Sequence, residues 1–403
     1  MRGLSANGRV VLMCTAHALS MLGFATWPTL LPQLQPLWGL SSTEAGLVSG
    51  VFFAGFMTLV PFLSGLTDRM DARRIYLAST LLAAGGAGGF AFFATGTASA
   101  MAFQFLIGAG IAGTYMPGLK LLTDHAAGPG QSRSVSFYTA TFGTGTGLSI
   151  LIAGTVAAHY GWQVAFLLSS AGPLVAGVLV WLWMPPGHVH AGTDSRAERL
   201  RAVFTQRDAV RYIYGYAVHC WELFGSRSWL VAFLTFATVG LAAQPAFSPV
   251  MVAAMANLLV SPLASIAGNE LSLRHGRERV IWNTMLVSAL LTLLLGFMSG
   301  MPWPLLAAMA LLHMFAVMGD SASLTSGMVG ASAPHLRGAS MAMHATLGFG
   351  AGFAGPLLFG VVLDASGGNA DPTAWGWAFA SLAVPALLGS FVLRRNAGTD
   401  AGV

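Results

Sequence analysis

Four charged side chains lie inside long apolar stretches of the sequence, namely Lys120, Glu222, Arg227 and Asp320. A charge within hydrocarbon costs at least about 2.5–3.5 kcal/mol, so each of them needs a function or a partner. A carboxyl group can take up and release protons, and a guanidinium group binds anions through its planar fork. These residue types therefore indicate proton handling and anion binding inside a membrane.

Glu222 is the strongest of these candidates. It lies about ten residues into its apolar stretch, which is roughly 15 Å along a helix and near the middle of a bilayer. His219 precedes it by three residues, on the same helix face, and is close enough to pair with it. We interpret the two as a protonatable site. The alternative is a buried pair that only holds two helices together.

Arg227 follows Glu222 by five residues, so the two side chains diverge by about 140° around a helix and are not expected to pair. Arg227 is predicted to bind an anion. The alternatives are that its guanidinium group extends to the membrane interface or pairs with an acid of another helix.

Asp320 is flanked by small polar residues, and His313 lies seven residues before it, on the same helix face. This arrangement favours a proton or cation site, or an ion pair with Lys120. Lys120 itself lies one turn before Asp124, and we expect its ammonium group to extend towards the interface there. His344 is a further imidazole inside an apolar stretch.

The elements that carry these residues are apolar stretches close to the twenty residues that a helix needs to cross about 30 Å of hydrocarbon. Of the 403 residues, 55% are hydrophobic and 8% are charged, whereas about a quarter are charged in soluble domains. The sequence predicts an all-α integral membrane protein with twelve transmembrane helices. The predicted spans are 10–31, 44–65, 75–95, 99–123, 135–157, 163–184, 209–240, 246–267, 280–300, 304–330, 339–364 and 376–393.

The basic residues predict the orientation of these spans. If both termini are cytoplasmic, all but two of the 19 Lys and Arg residues fall in cytoplasmic segments, and the exceptions, Lys120 and Arg227, lie within spans. This asymmetry is the one that the positive-inside rule describes. We therefore expect a multi-pass protein of the inner membrane.

The two halves of the chain are related by an offset of 205 positions. This offset also places His17, in the first span, at the position of Glu222. We predict two six-helix bundles, 1–184 and 209–403, joined by a cytoplasmic loop at 185–208. The aligned residues are Leu66, Arg69 and Arg74 with Leu271, Arg274 and Arg279, and Gly143, Gly145 and Gly147 with Gly348, Gly350 and Gly352.

The loop after the second span, Ser64-Gly65-Leu66-Thr67-Asp68-Arg69-Met70-Asp71-Ala72-Arg73-Arg74, resembles the motif G-x-L-A-D-R-x-G-R-R of the major facilitator superfamily. It departs from that motif at Ser64 and Asp71, where the family prefers Gly. The resemblance implies a carrier with two pseudo-symmetric bundles whose first and seventh spans line a central cavity. It also implies a cytoplasmic gate, formed by Asp68, Arg69, Arg73 and Arg74.

A second stretch, Gln104-Phe105-Leu106-Ile107-Gly108, resembles the family motif R-F-L-x-G but has Gln in place of the Arg that is tied to proton coupling in antiporters. This departure argues against a proton-coupled antiporter, and we favour proton-coupled symport of a small polar or anionic solute. A proton-driven exporter of drugs or metabolites is the alternative, and a transporter-like ligand sensor or assembly factor is the alternative from another class. A weaker resemblance, at residues 115–120, points to the nitrate/cyanate branch, although the arginines of nitrate carriers in spans two and eight are absent here.

The glycine-rich stretches 108–113 and 350–355 match the dinucleotide-binding pattern G-x-G-x-x-G, but both lie inside predicted spans, where we expect helix packing instead. We predict no enzyme activity, no cofactor, no metal site and no nucleic-acid partner. The expected partners are a small-molecule substrate, protons and the lipid bilayer, and the expected state is a monomer.

Overall fold

The computed structural model describes residues 4–67, 69–125, 130–187, 196–239, 241 and 245–397. Within these residues the chain forms α-helices and no strand, as predicted. The helices are α1 (Ala6–Ser20), α2 (Thr26–Trp38), α3 (Ser42–Leu66), α4 (Ala72–Phe93), α5 (Thr97–Asp124), α6 (Gly130–Tyr160), α7 (Trp162–Trp183), α8 (Arg196–Val203), α9 (Arg207–Thr238), α10 (Pro249–Met255), α11 (Ser261–His275), α12 (Arg277–Gly296), α13 (Trp303–Met318), α14 (Ser321–Ala331), α15 (Arg337–Ala365) and α16 (Pro372–Ala397).

Three of the predicted spans are interrupted helices. A 3-10 turn at Met21–Gly23 separates α1 from α2, and a π-helical segment at Ala256–Val260 separates α10 from α11. The helix also stops between α13 and α14, at Gly319 and Asp320. π-Helical segments are frequent at functional sites, and interrupted membrane helices line binding sites in carriers.

Within the part of the chain that the structure describes, ten helical segments are long and apolar enough to cross a membrane, by length and composition. The two remaining predicted spans are also helical, as α9 and α16. Helix α9 carries three buried polar or charged side chains, His219, Glu222 and Arg227. All twelve predicted positions therefore hold helical segments, three of them interrupted. The first extends beyond its prediction to Trp38, and α8, inside the predicted central loop, is an element that the sequence analysis missed.

The helix bounds agree with the internal repeat. The starts of α4 and α12, Ala72 and Arg277, lie 205 positions apart, and so do the ends of α6 and α15, Tyr160 and Ala365. The offset found from single residues therefore also relates whole helices.

The chain divides into two compact units. The first contains Met1–Leu30 and Val51–Thr193, and the second contains Leu31–Gly50 and Asp194–Val403. In the first unit Phe90 stacks on Phe166 with ring centroids 3.8 Å apart. In the second, Trp229 stacks on Phe359 at 5.1 Å. The division into membrane bundles at 1–184 and 209–403 remains a prediction.

Glycines let the helices of each unit approach closely. In the second unit a Cβ atom at Gly268 of α11 would overlap the carbonyl oxygen of Gly319, at the break between α13 and α14. Backbone atoms cannot move aside as a flexible side chain can, so this glycine keeps α11 against the break.

We expect Gly268→Ala to destabilise the protein by about 1–3 kcal/mol, the usual range for overpacking. Gly330→Ala is the matched control, because a Cβ atom at Gly330 of α14 meets nothing within 4 Å. Thermal unfolding in detergent should give a clearly lower midpoint for Gly268→Ala alone. Equal midpoints for the two variants would contradict the role assigned to Gly268.

Candidate functional site

Helix α9 carries three of the predicted site residues, and all three are buried in the second unit: His219, Glu222 and Arg227 have exposed fractions of 3%, 2% and 7%. Arg227 lies five positions after Glu222 on the helix, so the two side chains point to different neighbours, as predicted. Glu222 contacts α12, whereas Arg227 contacts α11 and α13.

Two hydroxyl groups of α12 bind the Glu222 carboxyl group. Ser288 Oγ donates to Oε2 at 3.0 Å, and Thr292 Oγ1 donates to Oε1 at 2.6 Å. Thr292 Oγ1 also lies 2.8 Å from Nε2 of His313, which belongs to α13. Because a hydroxyl has a single proton and Thr292 gives it to Glu222, His313 must donate through Nε2. Glu222, Thr292 and His313 therefore form a continuous hydrogen-bonded chain.

The predicted pair of Glu222 with His219 is wrong. Nδ1 of His219 instead lies 2.7 Å from Oδ1 of Asp320, at the break between α13 and α14. Helix α13 ends at Met318, and the break that follows places the Asp320 side chain next to His219 of α9. Asp320 thus pairs with His219 rather than with Lys120, and both members of the pair are buried.

Arg227 has few partners for its charge. Its Nη2 lies 3.4 Å from Ser261 Oγ and 3.6 Å from Met318 Sδ, and its Nε has no hydrogen-bond partner among the described residues. No described carboxylate forms an ion pair with it. Ser261 follows the π-helical segment, so two interrupted helices meet this guanidinium group.

His344 and Tyr216 extend the His219 contact towards α15. The Tyr216 ring stacks on His344 with centroids 3.7 Å apart and lies 5.7 Å from His219. Nε2 of His344 lies 3.3 Å from Thr325 Oγ1. The sequence analysis missed Tyr216, as well as Ser288 and Thr292. The sequence offered only a weak signal for these three residues, because hydroxyl and aromatic side chains are common in membrane helices.

In the first unit, His17 lies in an aromatic environment. Its ring stacks on Tyr138 with centroids 4.6 Å apart and is 5.2 Å from Tyr115. Its Nδ1 lies 2.6 Å from Thr141 Oγ1. His17 therefore has no acidic partner among the described residues, unlike His219 at the second unit's site.

Lys120 pairs locally, as expected. Its Nζ lies 2.8 Å from Oδ2 of Asp124, one turn further along α5. Both side chains are partly exposed near the end of the helix. Lys120 is therefore better explained by this surface pair than by substrate binding.

The predicted gate motif is described in part, since Asp68 lies outside the described residues. Arg69 forms a turn through its backbone N–H to Leu66. Arg73 binds Asp71 through Nε and Nη2 at 3.0 and 2.9 Å, and its Nη1 donates to the carbonyl of Met184 at 3.1 Å. Arg73 thus ties the start of α4 to the end of α7.

Asp71, where the family motif prefers Gly, has a structural role of its own. Its carboxylate caps α4 by accepting from the N–H of Arg73, and it also accepts from the N–H of Gly187. Partial burial acts to raise the pKa of Asp71, but the hydrogen bonds from Arg73 and Gly187 outweigh it and lower the pKa below its usual value. An Asp directly before a helix start is a recognisable N-cap signal.

We expect Asp71→Ala to cost about 1 kcal/mol, because a helix cap is lost. A group whose folded pKa is lowered stabilises the protein above its unfolded pKa, and this contribution disappears as the pH falls through the folded value. The difference in unfolding midpoint between wild type and Asp71→Ala should therefore be present at neutral pH and shrink on acidification. Asp71→Asn, which keeps a cap, is the control; a pH-independent difference would count against this assignment.

The region from residue 13 to 254 matches the model of the Major Facilitator Superfamily, which is more than half of the chain. The chain belongs to the Major Facilitator Superfamily. The resemblance found from the gate motif is thereby confirmed. As this superfamily consists of carriers, it also supports the expectation that the chain is not an enzyme.

Two bacterial transporters illustrate what the chain is similar to. A niacin transporter of Acinetobacter baylyi is 26% identical over 143 residues, 36% of this chain and 32% of that protein. The 3-(3-hydroxy-phenyl)propionate transporter of Escherichia coli is 30% identical over 188 residues, 44% of this chain and 42% of that protein. The matches thus span less than half the length of these relatives. Neither is named for nitrate or cyanate, so that weaker resemblance remains a prediction.

A solved structure shows the same Major Facilitator Superfamily fold over nearly the whole chain. It is a bacterial homologue of the human lysosomal transporter Spinster in an inward-facing and occupied conformation. The TM-score is 0.78 at 14% sequence identity, and the match covers 96% of each chain. At this identity the likeness concerns the fold alone.

Proposed function

We propose that this Major Facilitator protein moves a small carboxylate across the membrane by alternating access, together with protons and in the same direction. The observation that carries the proposal is Arg227, a buried guanidinium group without an ion-pair partner among the described residues. A buried charge of this kind is costly unless something neutralises it. A substrate carboxylate would do so.

The surroundings of Arg227 are suited to an anionic ligand that binds reversibly. Ser261 Oγ and Met318 Sδ are weak neutral partners at 3.4 and 3.6 Å, and Nε has none. A guanidinium fork binds a carboxylate through two parallel hydrogen bonds, which also fixes the orientation of the bound group. A permanent acidic neighbour would compete with such a ligand.

The proton sites in this proposal are two carboxyl groups, Glu222 on α9 and Asp320 at the helix break that contacts α9. Glu222 is held by two hydroxyls and linked through Thr292 to His313. Asp320 is held by His219 at the helix break. Ionisable groups inside membrane segments mark proton relays in carriers. Glu222 lies on the helix that also carries Arg227, and Asp320 contacts that helix through His219.

The named relatives support the choice of substrate. The niacin transporter and the 3-(3-hydroxy-phenyl)propionate transporter are both named for carboxylic acids. We further propose an inner-membrane monomer with both termini in the cytoplasm, on the strength of the basic residues in the predicted cytoplasmic segments.

The proposal is tested by the thermal stability of the purified protein with nicotinate and with nicotinamide, which differ in the carboxylate alone. A ligand at 100 times its Kd stabilises a protein by about 2.7 kcal/mol. We expect nicotinate, or another small carboxylate in a panel with matched amides, to raise the unfolding midpoint, and its amide not to do so. Equal shifts for each acid and amide would contradict carboxylate binding.

The direction of coupling is tested in proteoliposomes with an imposed pH gradient. We expect uptake of the carboxylate to increase when the side from which it enters is more acidic. Faster uptake when the entry side is less acidic would instead indicate exchange of substrate for protons, as in an exporter.

A further inference from the structure

The first unit contains a cluster of aromatic rings around His17 that the proposed proton and anion sites do not use. The rings of Tyr115 and Tyr138 lie 6.0 Å apart, and each lies within 5.2 Å of the His17 ring. Phe142 lies 5.9 Å from Tyr115 and 5.1 Å from Phe24. The cluster therefore has the spacing of stacked and edge-to-face pairs.

The hydrogen bonds of His17 fix which ring nitrogen carries the proton. Thr141 Oγ1 donates to the carbonyl of Tyr138 at 2.5 Å, so it can only accept at its 2.6 Å contact with Nδ1 of His17. Nδ1 is therefore the donor, and Nε2 of the neutral ring is an acceptor. This Nε2 is buried and has no hydrogen-bond partner among the described residues. Nε2 of His17 can therefore accept a hydrogen bond from a donor group of a ligand.

The residues of the cluster differ in their exposure. His17 and Tyr138 are buried, whereas Tyr115, Thr141 and Phe142 are only partly buried. Because Nε2 of His17 is buried, a ligand can reach it only after a side-chain rotamer change in the cluster, of the kind that is common on ligand binding.

The internal repeat shows that the first unit differs chemically from the second at several related positions. At five repeat-related positions the second unit has a polar residue where the first has an apolar or aromatic one. The pairs are Leu22 with Arg227, Phe52 with Asn257, Ala83 with Ser288, Ala87 with Thr292, and Tyr115 with Asp320. The cluster therefore combines an unpartnered acceptor, Nε2 of His17, with aromatic rings on which a flat ring can stack.

We propose that this cluster binds the ring of a hydroxylated aromatic carboxylate, with the ring against Tyr115 and Phe142 and its hydroxyl donating to Nε2 of His17. The inference rests on the proposed transport of carboxylates and narrows it to one substrate class. A pyridine nitrogen, which is an acceptor, would not satisfy Nε2, whereas a phenolic hydroxyl would.

The test is the Kd of the purified full-length protein, measured by calorimetry, for cyclohexanecarboxylate, benzoate, 3-hydroxybenzoate and 4-hydroxybenzoate. We expect benzoate to bind about 2- to 10-fold more tightly than cyclohexanecarboxylate, because of ring stacking. At least one hydroxybenzoate should bind a further 2- to 10-fold or so more tightly than benzoate.

Two variants separate these contributions. His17→Phe keeps a stacking ring and should remove only the preference for the hydroxyl, whereas Tyr115→Leu should remove the preference for benzoate over cyclohexanecarboxylate. His159→Phe, at an exposed position of α6, is the matched control and should keep both preferences.

Three results would overturn the inference: equal affinities for benzoate and both hydroxybenzoates, equal affinities for benzoate and cyclohexanecarboxylate, or a hydroxyl preference that survives in His17→Phe. In each case carboxylates still bind, so the proposed function stands. If none of the four carboxylates binds the wild-type protein but nicotinate or another acid of the thermal panel does, this inference alone is overturned. If no carboxylate binds at all, the proposed function fails with it.

Discussion

Replacing Arg227 by Gln is expected to weaken carboxylate binding by about 10- to 100-fold, since a hydrogen bond to a charged partner contributes about 1.5–3 kcal/mol. The same change should leave the stability of the ligand-free protein unchanged or raise it. Arg227 is buried without an ion-pair partner among the described residues, and Gln removes this buried charge. Binding and stability should therefore change in opposite directions.

This opposite behaviour separates the proposed role from a structural one. If Arg227 were held by a permanent acid, its removal would leave a second unpaired charge and destabilise the fold by about 3–5 kcal/mol. The measurement is the unfolding midpoint with and without nicotinate or the best carboxylate of the panel. At a ligand concentration of 100 times the wild-type Kd, the stabilisation should fall from about 2.7 to about 0.4 kcal/mol when the Kd rises 100-fold.

Arg274→Gln is the matched control. Arg274 is 69% exposed in its side chain and pairs with Glu270 on the surface of α11, so we expect little effect on binding or stability. Arg227→Lys adds a finer test, because it keeps the charge but loses the planar fork. Its affinity should lie between those of wild type and Arg227→Gln. A ligand-induced shift that survives in Arg227→Gln would remove Arg227 from the binding site.

The sequence was sufficient for the helices because their signal is local. A run of about twenty apolar residues, the distribution of arginines and the offset of 205 positions do not depend on which helices are neighbours. The breaks were harder to predict. Gly319 and Asp320 interrupt one span without any proline, and the π-helical segment at Ala256–Val260 has no sequence signal that hydropathy would detect.

The partners of the site residues could not be predicted from one helix. Glu222 and His219 lie on the same face of α9, which indicated a pair, but proximity along a helix does not determine the partner. In the structure Glu222 is bound by Thr292 of a neighbouring helix, and His219 pairs with Asp320 at the break of another. The predicted divergence of Glu222 and Arg227 agrees with the structure because it follows from the geometry of a single helix.

Glu222→Gln is expected to abolish accumulation driven by a proton gradient while the protein still binds and exchanges its substrate. Gln has nearly the same shape as Glu and can still accept a hydrogen bond from Thr292 or Ser288. It cannot exchange a proton in the pH range of transport. The fold and the anion site should thus remain, and only the coupling should be lost.

The size of the effect follows from the energy of the gradient. One pH unit corresponds to about 1.36 kcal/mol per proton, so one coupled proton supports about tenfold accumulation per pH unit. In proteoliposomes with a gradient of one pH unit, wild type should approach that ratio and Glu222→Gln should stay at equal concentrations on both sides. Exchange of labelled for unlabelled substrate without a gradient should persist in both proteins.

Glu270→Gln is the control for Glu222→Gln, because Glu270 is an exposed acid whose side chain pairs with Arg274. Asp320→Asn distinguishes the two proton sites: if Asp320→Asn uncouples and Glu222→Gln does not, the proton is carried by the His219 pair instead. His313→Gln tests the relay, since a proton that reaches Glu222 through Thr292 would arrive more slowly without the imidazole. Coupled accumulation that is unchanged in Glu222→Gln would show that the hydrogen-bonded chain around this carboxyl group only holds α9, α12 and α13 together.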